Sequence, residues 1–130
     1  MLGIDEIFEM LSWDSDEETQ LKGIEEAKKV KNLSVFLQPC NEKYSKNIWD
    51  NCAKVLASHS DEELSFYFTD LLKWLQDMNW PGAFIIYNRL KAMPATNDIK
   101  AEFDFCLKIA KQSGDEVWEK VLQTLKTTLQ

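Results

Sequence analysis

A chain of 130 residues, 45% hydrophobic and 28% charged, has the length and make-up of one globular domain with a real core. Its formal net charge of −7 argues against general nucleic-acid binding, and no apolar run approaches the ~18–20 residues of a membrane span. Four glycines and three prolines leave little material for tight turns, which favours helices over a sheet-rich fold.

Ile4, Ile7, Phe8 and Leu11 share one face of a short first helix. The charge excess lies around it. Residues 1–18 hold seven acids (Asp5, Glu6, Glu9, Asp14, Asp16, Glu17, Glu18) and neither Lys nor Arg, whereas residues 19–130 hold fifteen of each sign. This opening stretch has no basic n-region, so a signal peptide is not expected and the expected location is the cytoplasm. Ser15-Asp16-Glu17-Glu18 reads as a capping box, with Ser15 as N-cap and Glu18 reaching back. The helix it opens carries Leu21, Ile24, Ala27 and Val30 inward. Lys28, Lys29 and Lys31 follow Glu25 and Glu26 at the spacing of helix-surface pairs. Leu33 to Leu37 is a short apolar piece closed by Pro39, and 39–47 is the longest expected loop.

A helix is expected over 48–58, with Ile48, Trp49, Cys52, Val55 and Leu56 inward. A second Ser-Asp-Glu-Glu box at 60–63 opens a helix whose Leu64, Tyr67, Phe68, Leu71, Leu75 and Met78 keep helical spacing. Pro81 biases Trp80 away from the α region, so that helix should end near Met78, with Pro81 in the first turn of the next. Ala83 to Met93 is apolar nearly all round and is expected to be the most buried helix, with neighbours on both sides. Pro94 ends it. Asn97 should cap a helix bearing Ile99, Phe103, Cys106, Leu107 and Ala110. Ser113-Gly114-Asp115-Glu116 separates it from a last helix lined by Trp118, Val121, Leu122, Leu125 and Leu129. No segment alternates as a strand does. The Ser-x-x-Glu boxes at Ser15 and Ser60 lie 45 residues apart, within the ~40–47 of helical-hairpin repeats.

The run LLKWLQDMNWPGA at 71–83 and the later Asp115-Glu116-Val117-Trp118 carry a family resemblance. They are similar to the L-x-W-L-Q-D-x-N-W-P segment and the acidic-x-x-Trp motif of a bacterial domain of unknown function, DUF5071. The resemblance covers residues 60–125, and VKNLSVFLQP and WDNCAKVL upstream look like part of the same family. The family's further aromatic after the Trp is absent here, where Val121 and Leu122 stand. The resemblance implies a helical, HEAT-like fold and no catalytic residue. Six residues after Asp77 stands Ala83 rather than the base of a standard HEAT repeat, so the likeness is one of stacking. Trp74, Gln76, Asp77, Asn79, Trp80, Pro81 and Trp118 are the family-motif residues.

Chemistry is sparse. Gln76, Asp77 and Asn79 form either a recognition or catalytic loop, or caps: Asp77 and Asn79 for the Pro81 helix, Gln76 for the carbonyls before it. His59, the lone histidine, reads as an exposed helix-end residue; two helical turns from Cys52 make ~10 Å, too far for a nucleophile pair. Cys40, Cys52 and Cys106 lack metal-type spacing and fit reduced thiols. No cofactor motif, Walker pattern or calcium loop is present, so neither cofactor nor metal is expected. Phe8, Trp13, Asp14, Asp16, Glu17 and Glu18 together resemble aromatic anchors in a charged rim. Alternatively, Phe8 and Trp13 fold back to cap the stack.

The expectation is therefore one all-α domain over 1–130, with acidic helices over 1–38 and core hairpins over 48–130, stacked as antiparallel hairpins in a short HEAT- or armadillo-like array. The expected function is non-enzymatic binding of a basic protein partner, in the manner of an immunity or antitoxin-like protein. The competing classes are an enzyme centred on Asp77, Asn79 and Trp80, and a HEAT-like scaffold or adaptor.

Overall fold

A computed structural model describes residues 2–40 and 44–129. Among these residues the chain forms eight α-helices and no strand: α1 (Ile4–Leu11), α2 (Glu17–Ala27), α3 (Lys46–Ala57), α4 (Asp61–Ser65), α5 (Phe68–Trp74), α6 (Ala83–Lys91), α7 (Asn97–Ser113) and α8 (Glu116–Thr128). A single 3-10 turn, Leu33–Phe36, stands where the short apolar piece was expected. Residues 41–43 of the expected long loop lie outside the described residues, and α3 starts two residues earlier than its apolar pattern suggests. No helix among the described residues is long and apolar enough to cross a membrane.

The helix caps differ from the expected boxes. Only the box at Ser60 forms as expected: Ser60 Oγ accepts from Glu63 N, and the Glu63 carboxylate accepts from Ser60 N. At Ser15 the next residue, Asp16, takes the cap, and at the Ser113-Gly114-Asp115-Glu116 junction Ser113 ends α7 and Asp115 caps α8. Asp16 accepts from Thr19 N at 2.8 Å, and Asp115 accepts from Trp118 N at 3.0 Å. Ser15 instead donates its hydroxyl to Glu9 O, holding the end of α1. At Ser15 the cause is competition: an acidic side chain one position on is an equally good N-cap, and the local turn decides which is used. Thr96, not Asn97, caps α7 by accepting from Ile99 N.

One buried cluster runs through the chain. Ile7, Phe8 and Leu11 of α1 meet Ile24 and Ala27 of α2. Both helices pack on α3, which also meets the 3-10 turn and α6. Beyond α3, α5 packs on α7 and α6 on α8, while α7 and α8 form a close pair. The expected helix over 61–78 is broken: α4 and α5 are separate, Phe66 points out at 84% exposure, and α5 stops at Trp74. Leu21 of α2, expected inward, is 57% exposed. The expectation that α6 is the most buried helix is also corrected. Its neighbours α3, α5 and α8 cover Ala83, Ile86 and Leu90, but Phe84 on its outer side is 65% exposed. The central helix is α3, which buries seven of its residues, among them the polar Asn51. Asn51 is satisfied there because its Nδ2 donates to Leu11 O and to Gln20 Oε1.

Gly82 sets how closely α6 approaches α3. It is the N-cap of α6 at φ 84, and a Cβ on it would stand 2.7 Å from Ala53 Cβ and 2.9 Å from Trp49 O. Pro81 is therefore not in the first helical turn, as the sequence suggested; it precedes the cap.

Candidate functional site

The junction of α1 and α2 builds the acidic face. Trp13 N donates to Asn47 O at 3.1 Å, Asp14 N to Ser12 Oγ, and Asn47 Nδ2 to the same hydroxyl. This ties the junction to the start of α3 and turns the Trp13 ring outward, 53% exposed. All seven acids of residues 1–18 are exposed. Asp16 is held below the ordinary carboxylate value by the Thr19 N–H and hydroxyl, and Glu18 pairs with Lys22 at 3.5 Å. Beside Trp13, Glu9, Ser12, Asp14, Ser15, Tyr44 and Asn47 line a cleft of about 410 Å³.

Phe8 does not belong to this face, contrary to the partner-anchor expectation. Its ring is buried edge-on against Phe36 at 6.1 Å and Tyr44 at 5.7 Å. It is the first helix's main anchor in the core. Trp13, which shares the helix end but not its inner stripe, stays outside. The structure thus groups Trp13 with Asp14, Asp16, Glu17 and Glu18 on one exposed junction and removes Phe8 from it.

The signature turn is held by tryptophans. Trp74 Nε1 donates to Pro81 O at 3.0 Å, bridging the corner, and Trp49 packs edge-on to both Trp74 and Trp80. Trp118, fully buried in α8, donates its Nε1 to Leu72 O of α5 at 3.0 Å. The two family motifs therefore lock one pair of helices to the next. The proposed caps are corrected: α6 has no side-chain cap, and Asp77 accepts from Asn79 N at 2.9 Å within the turn itself. Gln76 and Asn79 are exposed. A Leu72 carbonyl near the end of α5 is met by Trp118, a partner 46 residues away that local reading could not supply.

His59 is not the exposed residue expected. Its side chain is only 12% accessible, and Nδ1 lies 3.1 Å from a Glu63 oxygen. Cys52 is fully buried, and burial pushes its thiol up to about 12, which removes it as a nucleophile near neutral pH. The end of α3 is instead closed by Arg89 of α6. Arg89 donates to Ala57 O and His59 O and pairs with Asp61 at 2.7 Å. The lysine cluster behaves as its spacing suggests, with Lys28 on Glu25 and Lys29 on Glu26.

A family model described as Domain of unknown function (DUF5071) matches residues 44–130. The chain belongs to this family. The match takes in α3 to α8 and both tryptophan motifs, a wider span than the motifs alone indicated. WDNCAKVL lies within it; VKNLSVFLQP and the whole acidic segment lie before it. No curated protein and no solved structure matches the chain.

Two exposed apolar features escaped the sequence reading. Phe66 stands beside a cleft of about 390 Å³ whose rim includes Asp61, Glu62, Asp98 and Glu102. Burial raises the Glu102 carboxyl above its ordinary value. The second feature is a groove of about 450 Å³ between α6 and α8, where Phe84 and Val117 are exposed. Its signal was present in the sequence: α6 carries apolar residues on more sides than the buried stripe of Ala83, Ile86 and Leu90 uses.

Proposed function

We propose that this DUF5071 protein is a non-enzymatic binding module whose acidic N-terminal face docks a basic protein partner. The observation that carries the reading is Trp13, more than half exposed within a junction whose neighbours Asp14, Asp16, Glu17 and Glu18 are all exposed acids. An aromatic anchor inside a charged rim supplies contact area, and the surrounding charge steers the approach of a basic surface. The acid-rimmed cleft beside Phe66 supports the same preference for cationic partners. In its specific form the proposal is an immunity or antitoxin-like protein that covers a basic toxin. In this reading the helix pairs α5/α6 and α7/α8 stack as a short HEAT-like array, and the acidic face itself rests on α3.

The test is capture of the partner from the source cells with the wild-type chain and with Asp14, Glu17 and Glu18 reversed to lysine. The captured basic protein should associate at least ~tenfold more slowly with the reversed chain, with a rate that falls as salt rises. Trp13→Ala should speed its dissociation, and adding the wild-type chain should suppress the partner's toxic activity. Equal association of the wild-type and reversed chains would remove the acidic face from the interface. A partner without toxic activity would leave a binding module and discard the immunity form.

A further inference from the structure

The α6 helix reads Ala83-Phe84-Ile85-Ile86-Tyr87-Asn88-Arg89-Leu90-Lys91, apolar on most of its circumference. Its inner residues Ala83, Ile86 and Leu90 are spent on α3, α5 and α8. On the outer side Phe84 is 65% exposed and Tyr87 half-buried, and across from them α8 presents Val117, 67% exposed, with Val121 and Thr124. Met78 of the signature turn completes a groove of about 450 Å³. From Val117 to Thr124 the α8 wall runs seven residues, ~10 Å at the helical rise, or two turns. A groove of this kind between two helices fits a third helix that places anchors at i, i+3 or i+4, and i+7.

The charges select the occupant. Lys120 is the one charged side chain in the groove lining, and Lys91 Nζ stands 5.9 Å from the centroid of the Tyr87 ring. Among the described residues neither lysine is seen in an ion pair with an acid. In a chain of net charge −7, this apolar surface is thus flanked by two available cations. Their stems can lie along the apolar wall while the ammonium groups reach a ligand's flank.

We infer that the α6–α8 groove docks an amphipathic helix of a partner protein, with an apolar stripe seated on Phe84, Tyr87 and Val117. Aspartates or glutamates along the helix flank meet Lys91 and Lys120. The site is separate from the Trp13 face, which is built on α1 and α2, and does not depend on that reading.

The test uses a labelled synthetic peptide of about 16 residues with leucines at the anchor spacing and glutamates on the flanks. A second peptide carries lysines in place of the glutamates, and a third has the leucines scrambled. Titrated with the full chain in fluorescence anisotropy, the glutamate peptide should bind with Kd on the order of 10–100 μM, and the other two at least ~tenfold more weakly. Phe84→Glu should abolish binding, Lys120→Glu should turn the preference towards the lysine peptide, and Trp13→Ala should change nothing. Both groove variants should keep the wild-type melting curve, since each side chain is exposed. Equal affinity for all three peptides, or full binding by a folded Phe84→Glu chain, would overturn the inference. So would a dimer of the chain alone that Phe84→Glu dissolves, which would assign the face to a second copy.

Discussion

Replacing Gly82 by alanine tests the contact that positions α6, and with it the groove. Two costs are added at once. At φ 84 an L-residue is in left-handed territory, worth roughly 1–2 kcal/mol. The new Cβ also meets Ala53 Cβ at 2.7 Å, Trp49 O at 2.9 Å and Trp74 Cζ2 at 3.1 Å. None of these is the far end of a flexible side chain, so α3 and α6 must separate, at roughly 1–3 kcal/mol for overpacking. Against this, alanine loses less unfolded-state freedom than glycine, by ~0.4–1 kcal/mol. The net destabilisation should be about 2–4 kcal/mol, a large share of a small domain's ~5–15 kcal/mol. Gly114 provides the comparison: its φ is 72, but nothing stands within 4 Å of a Cβ there. Gly114→Ala should therefore cost only the backbone part, about 1 kcal/mol. Urea unfolding of both variants measures the difference directly. If Gly82→Ala is no more costly than Gly114→Ala, the close approach of α3 and α6 is not a constraint, and the argument that Gly82 fixes the groove's position fails.

The tryptophan locks can be tested by Trp118→Phe, which keeps most of the ring but removes the indole donor to Leu72 O, leaving that carbonyl only the Leu75 N–H; a loss of roughly 0.5–1.5 kcal/mol is expected in thermal or urea unfolding, and a neutral result would deny the lock. Trp80→Ala should cost less than Trp74→Ala, because Trp80 is half-buried and Trp74 fully so, and the reverse order would contradict the packing of the signature turn. The Glu63 carboxyl is held below its ordinary value by the Ser60 N–H and hydroxyl. Its stabilising effect is thus present above the unfolded-state value and is lost as the pH falls through the folded one. Glu63→Gln should flatten the acid limb of a melting-temperature profile, and an unchanged slope would refute the linkage. Iodoacetamide at about pH 8 should modify Cys40 and spare Cys52 and Cys106, whose thiols burial pushes up to about 12 and about 11; labelling of Cys52 in the folded chain would mean that α3 opens.

The sequence exposes most of this fold because the core stripes of α1, α3, α7 and α8 are clean, and periodicity reports which face is buried. It misleads where a residue's fate depends on something distant. Leu21 continues the α2 stripe, yet the helices around α2 do not reach it. Trp118 meets a carbonyl of α5 across the sequence, a role that local reading gives to the nearby Gln76. Phe8 and Trp13 looked alike as aromatic neighbours of acids; their difference lies in helical phase, since Phe8 shares the stripe of Ile4, Ile7 and Leu11 and Trp13 follows the helix end. The α6–α8 groove was hidden by an assumption that apolar residues find partners within the chain. Tyr87 and Val121 find only part of their cover on the core and Phe84 and Val117 stay exposed, and that excess is what marks a surface for another molecule.

The family match begins at residue 44, but the physical unit does not. Tyr44 packs on Phe8 and donates its hydroxyl to Asp5 O, Trp49 Nε1 donates to Pro39 O, and Asn51 is satisfied by Leu11 and Gln20. Removing residues 1–43 would uncover the side of α3 that α1, α2 and the 3-10 turn now cover. It would also hand the amide of Asn51 from Leu11 and Gln20 to water. Each large apolar side chain returned to water costs roughly 1.5–3 kcal/mol. A few such losses equal the whole stability of a domain this size. The 44–130 fragment should therefore bind a hydrophobic dye, lose cooperative unfolding and regain both when a peptide of residues 1–40 is added. A fragment that unfolds as cooperatively and at the same temperature as the whole chain would show that the acidic segment is an appendage. With the expected result, the N-terminal helices complete the core, and the acidic face they carry is held rigidly by the same contacts.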